Sequence, residues 1–213
     1  MKCILLICLG WSSVLHAWAL DEDRLTNTLG MTMIKVDKGY YLAATEVTQT
    51  QWQALMGGNP SHIKGGDLPV ERVTWNQAAA FCQRLTAREQ SAGKLPHGYV
   101  YALPTEDQWE YACRAGTTGD YAGPLEAMAW YDINSGDLTH PVATKQANAW
   151  GFYDMHGNVW EWCANTYLQG RAMRGGSWHN VAAYSASGYR RWRDPANRYS
   201  TLGLRPALVP EGG

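Results

Sequence analysis

Residues 157–162 read Gly157-Asn158-Val159-Trp160-Glu161-Trp162. Glu161 stands between two indoles, and Glu110 stands in the same way between Trp109 and Tyr111. Burying an isolated carboxylate among such rings is expensive, so each acid needs a basic partner or a cation. Arg205 is the type of residue that would serve, in a lattice of structural ion pairs. Asp154 and Asn158 precede Glu161 at spacings that put all three side chains on one side of a turn or short helix. All three offer oxygen, which a hard cation such as calcium takes. A hydrogen-bonded turn without an ion is the simpler reading of the same residues. Further on, Arg174-Gly175-Gly176-Ser177-Trp178 implies a tight turn where only glycine fits the backbone.

Outward from this segment the periodic runs are short. Residues 31–36 and 40–42 read as two strands broken at Gly39. Thr48, with Gln51 three residues on, predicts a capping box and a helix carrying Trp52 and Leu55 that ends by Gly57-Gly58. Residues 59–69 read as a loop rich in turn formers. A second helix begins after Thr74, where Ala78, Phe81, Cys82 and Leu85 recur at helical spacing. Thr105 caps a third, which brings Trp109 and Cys113 onto one face. Residues 114–158 hold many turn formers, and the tail returns to extended segments around Arg174, Gly188 and residues 202–205. The expected fold is a single irregular α+β domain with two or three helices, few short strands and long ordered loops. Such loops need a reason, usually a ligand site, ions or disulfides.

Residues 1–19 have the form of a secretory signal peptide: Lys2, an apolar run from Ile4 to Leu9, and Ala17-Trp18-Ala19 as a cleavage pattern. The expected product is residues 20–213, periplasmic or secreted, with no segment apolar enough to span a membrane. The chain carries 18 Lys plus Arg against 19 Asp plus Glu, which lacks the strongly basic stripe of a nucleic-acid binder. Of its aromatic residues, 11 are Trp, 12 Tyr and only 2 Phe, a bias toward rings with a polar handle. Cys82, Cys113 and Cys163 remain after the signal is removed. Export permits one disulfide among them, in any of three connectivities, and a buried inert thiol is the plain reading of each.

Six segments in order resemble the formylglycine-generating enzyme family, the sulfatase-modifying-factor domain. They are Glu46-Val47-Thr48 with Trp52, residues 69–75 from Pro69 to Trp75, residues 103–112 from Leu103 to Ala112, residues 157–162, residues 174–178, and Leu202-Gly203-Leu204-Arg205. The resemblance runs over about residues 31–209 and implies an irregular fold distantly like that of C-type lectins. It also implies a calcium site built from the side chains of Asp154, Asn158 and Glu161 with the carbonyls of Gly157 and Val159. In the family the positions of Cys82 and Cys113 form disulfides to the C-terminal region. Here those partners are missing, so the resemblance implies pairing with each other or with Cys163.

The family's chemistry converts a substrate cysteine to formylglycine with oxygen and a copper ion held by two cysteines after the Gly-Gly-Ser turn. In this chain Asn180 and Ser185 fall at those two positions. Copper(I) takes soft thiolate ligands, and neither residue is one, so copper is not expected there. The segment keeps Trp178, His179, Asn180, Tyr184, Ser185, Tyr189, Arg190, Arg191 and Trp192, an aromatic wall with amide, hydroxyl and guanidinium groups. Such a set suits a ligand, and the expected role is binding or assembly on a peptide, glycan or protein partner. The alternative is a non-canonical periplasmic oxidase or maturation enzyme acting on a secreted peptide or siderophore precursor. A Ser185–His179 nucleophile lacks a third, orienting acid.

Overall fold

The structure, a computed structural model, describes residues 23–212. The predicted signal peptide, with Trp11 and Trp18, lies outside the described residues. No described helix is long and apolar enough to cross a membrane.

Three short strands open the chain: β1 (Arg24–Thr26), β2 (Thr32–Val36) and β3 (Tyr40–Ala43). The helices α1 (Gln49–Met56), α2 (Trp75–Ser91) and α3 (Glu106–Arg114) follow, with β4 (Tyr99–Ala102) between the last two. Each of these helices starts on the same device. Thr48, Thr74 and Thr105 accept from the backbone three residues on, and Gln51, Gln77 and Gln108 reach back to the cap. The pattern satisfies two donors that a helix start leaves open, so T-x-x-Q fixes each entry locally. Ala78, Phe81, Cys82 and Leu85 on α2 are buried as their spacing predicts, and so are Trp109 and Cys113 on α3.

After a single short turn of helix, α4 (Leu125–Met128), the chain runs through loops to β5 (Trp160–Tyr167) and β6 (Gly170–Arg174). A 3-10 turn (Ala182–Ser185), β7 (Arg191–Arg193), β8 (Leu202–Gly203) and β9 (Ala207–Pro210) complete it. Gly188, expected in an extended segment, lies outside any strand, while β1, β4, β5 and β9 add regular structure that periodicity did not reveal.

Two sheets result. One is ordered β1-β2-β3-β9-β4, so the end of the chain inserts between β3 and β4. The other is ordered β7-β6-β5-β8, with β8 parallel to β5. Alternation on β5 separates the apolar interior. Trp160 and Trp162 join the cluster that holds Trp52, Phe81 and Leu204. Cys163, on the opposite face, joins Trp109, Phe152 and Met155. Tryptophan therefore serves mainly as packing in this loop-rich fold.

The disulfide expected among the three cysteines is not formed. Cys82 sits in one core cluster, while Cys113 and Cys163 sit in the other on different elements. Burial pushes the thiols of Cys82 and Cys113 up to about 12 and that of Cys163 well above its usual value. All three are inert apolar filling at neutral pH.

Candidate functional site

The centre of the molecule is a polar belt, not a cavity. Glu161, fully buried, accepts from both ends of the Arg205 guanidinium at 2.8–3.0 Å and from Trp109 Nε1 at 2.6 Å. Arg205 also donates to the carbonyls of Ala43 and Tyr153, so its fork ties the first sheet to the second. The pair that the sequence implied for Glu161 is present. Glu110 instead finds Arg174, which donates to it at 2.9 Å and to Glu106 at 2.9 Å. Arg114 joins Glu110 from one turn on, and Arg190 closes on the other oxygen of Glu106. Burial pushes the Glu110 carboxyl up, but Arg114 and Arg174 more than offset this and hold it below the usual range.

Asp154 and Asn158 both adopt the left-handed backbone conformation, at φ 59°. The Asn158 amide donates to Glu46 at 2.7 Å and accepts from the His140 amide at 3.0 Å. Glu46 also accepts from Val159 N–H. Burial, then the charges of Asp154 and Glu161, raise Glu46 well above the carboxylate range, and burial raises Asp154 to about 6. Asp154 accepts from Ala143 N–H with one oxygen, and its other oxygen has no partner among the described residues. The calcium set expected from Asp154, Gly157, Asn158, Val159 and Glu161 is thus differently committed. Glu161 is taken by Arg205 and Trp109, and the Asn158 oxygen by His140. Only one side-chain oxygen of the three is unengaged, so these residues as folded do not form a calcium cage.

The Gly-Gly turn delivers the next part of the site. Gly175 and Gly176 have φ of 101° and 76°. A Cβ on Gly176 would lie 2.4 Å from Ser185 Oγ, so the turn closes directly onto the 3-10 segment. Ser177 O–H and Trp160 Nε1–H both donate to Asn180 Oδ1, at 2.6 and 2.7 Å. Asn180 is therefore a fixed acceptor that locks an indole and a hydroxyl. Ser185 is fully buried, and its hydroxyl has no partner among the described residues. Its carbonyl accepts from His156 Nδ1 at 2.8 Å, while His156 Nε2 accepts from Ala122 N–H at 3.0 Å. That pairing fixes the neutral tautomer, and burial keeps the ring's pKa lowered.

A cavity of about 180 Å³ opens beside Asn180. Trp160, His179 and Asn180 line it together with Arg191, Arg193 and Tyr199. Of the residues expected to bind a ligand, His179, Asn180 and Arg191 face it. Trp178 is half-buried and donates to the Ser200 carbonyl. Tyr184 packs 4.9 Å from Tyr189. Arg190 turns to Glu106 and the Tyr167 ring. Trp192 pairs opposite Ala172 and crowds Gly170, on the other face of β7 from Arg191 and Arg193. The sequence reading missed Arg193, Tyr199 and Trp160 as lining residues. The period-two alternation of Arg191-Trp192-Arg193 was the signal that could have sorted them.

The chain is 32% identical over 196 residues to a chaperone protein, LppX, of Paenibacillus barcinonensis, covering 65% of this chain and 69% of that protein. It is 30% identical over 197 residues to the inactive C-alpha-formylglycine-generating enzyme 2 of Bos taurus, covering 84% of this chain and 58% of that one. Among solved structures, Treponema denticola variable protein 1 superposes with a TM-score of 0.72 at 34% identity, over 80% of this chain and 84% of that chain. The irregular α+β, distantly C-type-lectin-like fold expected from the sequence is the fold observed. The profile of the sulfatase-modifying factor enzyme 1-like domain matches residues 15–209, and the chain belongs to that family.

Proposed function

We propose that this protein is an exported, non-oxidising member of its family that binds a peptide segment of a partner protein at the cavity beside Asn180. The observation that carries this reading is the fate of the two copper-ligand positions. Asn180 spends its oxygen on Trp160 and Ser177, and Ser185 is sealed beneath Gly176. Neither supplies sulfur, and the three described thiols are buried elsewhere with raised pKa values. Cysteine oxidation on a soft metal has no ligands to use at this place. What the cavity does offer is a fixed indole edge, an amide, an imidazole and two guanidinium groups, a set for recognition.

Relatives named a chaperone and an inactive enzyme are compatible with an accessory role. The chain spans only part of their length, so their activities are not carried over. A periplasmic or extracellular setting rests on the signal-like residues 1–19.

The test uses a displayed library of random peptides and a plugged variant. Thr201 lines the cavity, and Thr201→Trp would fill it. Peptides selected on the native protein should lose binding to Thr201→Trp while its melting temperature stays close to native. Equal binding by both proteins, or chemical consumption of the peptide, would overturn the reading.

A further inference from the structure

The cavity beside Asn180 has a neighbour. A second one, of about 330 Å³, is lined by His62, Arg72, Arg198, Tyr199 and Ser200. Tyr199 belongs to both linings and is 43% exposed, so the two cavities adjoin at this residue. Each carries two arginines: Arg191 and Arg193 in the first, Arg72 and Arg198 in the second. Each also carries one histidine, His179 or His62. Neither lining contains an aspartate or glutamate.

That concentration stands out in a chain of net charge -1. Ion pairs among the described residues engage Arg114, Arg174, Arg190 and Arg205. Among the described residues, none of the four cavity arginines has a carboxylate within salt-bridge distance. Two acids lie close in sequence, and both are engaged by backbone. Asp194 accepts from Ala196 N–H, and Glu71 is buried with His62 and Ile63 N–H on one oxygen, close enough to act on Arg72 and His62 through space but without a direct ion pair. Arg191 and Arg193 sit two residues apart on β7, so they leave the strand on the same face. Arg193 and Arg191 are steadied over the rings of Tyr199 and Tyr184, at 5.5 and 5.8 Å. Arg72 is held in the left-handed conformation at φ 59°, with its N–H on the Tyr199 carbonyl. Like charges gathered without a directly paired carboxylate repel, and an anion bound between them relieves that repulsion. The planar guanidinium fork matches a carboxylate bidentately.

We infer that the paired cavities recognise two carboxylates of an acidic peptide, one seated against Arg191 and Arg193 and the other against Arg72 and Arg198, with Tyr199 between them. The first cavity falls below, and the second only just above, the lower end of the usual size for a whole small-molecule ligand, about 300 Å³, which favours side chains entering separately. This rests on the proposed peptide-binding reading and names the chemistry of its ligand.

The experiment is a fluorescence-anisotropy titration of the full chain with a labelled peptide carrying two glutamates. The same peptide with glutamine in their place, and citrate as a competing free carboxylate, complete the set. The glutamate peptide is expected to bind at least tenfold more tightly than its glutamine counterpart and to weaken as salt is raised. Arg191→Ala with Arg193→Ala, and Arg72→Asn with Arg198→Ala, should each weaken it by about tenfold, or 1.4 kcal/mol. Asparagine is used at residue 72 because it tolerates the left-handed backbone. Arg84→Ala, an exposed arginine on α2 outside both linings, should change nothing. Competition by citrate at equal concentration would support the carboxylate site and make its source a small acid. Equal affinity for the two peptides, or binding unaffected by either double variant, would overturn the inference. If neutral peptides still bind and Thr201→Trp still blocks them, the binding reading survives that result. If no peptide from either set binds, both fall.

Discussion

Two groups of arginines in this molecule have opposite surroundings. Arg174 and Arg205 are almost wholly buried, and each guanidinium meets carboxylates and backbone carbonyls on every side. Arg72, Arg191, Arg193 and Arg198 line two open cavities with no acidic residue in the linings. The first group joins sheets and helices that the short strands could not hold alone. The second contributes little to the fold and leaves its charge for something else. Identical side chains thus differ in whether the chain itself supplies a directly bonded counter-charge.

The architectural side should break most severely. Arg205→Met leaves Glu161 buried with only Trp109 to face it, and the cost expected is about 3–5 kcal/mol. Chemical denaturation would measure it, and a loss below about 1 kcal/mol would remove Arg205 from the central role given to it. Asn180→Leu comes next. It strips the acceptor from Trp160 Nε1, on a side chain that is 2% exposed, and from Ser177, so about 1–3 kcal/mol should be lost. The same denaturation series checks this, and a neutral result would mean that water or another acceptor replaces the amide.

Glu110 lies between the two groups, half-buried and facing Arg114 and Arg174. Its folded pKa is depressed, so the unfolded state takes up its proton first as pH falls. Its contribution is fully present above the unfolded value of about 4.3 and is lost as pH drops through the lower folded value. Glu110→Gln should therefore flatten the acid limb of the stability curve and cost no more than about 1 kcal/mol at neutral pH, since the pair is partly screened. An unchanged acid limb would mean that Glu106 alone balances Arg174. The smallest effect is expected from calcium. A bound ion at 100 times its dissociation constant would contribute about 2.7 kcal/mol, a rise of roughly 5–10 °C in a domain this size. With Glu161 and Asn158 committed elsewhere, excess calcium should shift the melting temperature by less than about 1 °C. A rise of several degrees would show that the 154–161 loop rearranges around an ion.

What the sequence revealed follows from how local each determinant is. The helix starts at Thr48, Thr74 and Thr105 and the Gly175-Gly176 turn were legible because each is satisfied within a few residues, although the capping glutamine was read only at Gln51. The partner of Glu161 was legible as a type, because a buried carboxylate admits few solutions. The partner of Glu110 was not, since Arg174 comes from the second sheet, 64 residues away. The insertion of β9 between β3 and β4 was equally hidden, because four ordinary residues carry no sign of which edge they join. Within the site, proximity along the chain misled. Arg190 and Trp192 are neighbours of the cavity residues in sequence, but strand alternation and Glu106 turn them away. His62 and Arg72 reach the neighbouring cavity from a distant loop that no local pattern linked to it.

The proposed function requires that the family's site bind here without oxidising. The most direct measurement incubates the purified chain with a cysteine-containing peptide, copper(I) and dissolved oxygen, and follows the peptide by mass spectrometry alongside oxygen uptake. The account predicts no protein-dependent loss of thiol and no oxygen uptake beyond the copper-only control. Time-dependent conversion of the cysteine to formylglycine, with oxygen consumed in proportion to enzyme, would contradict it.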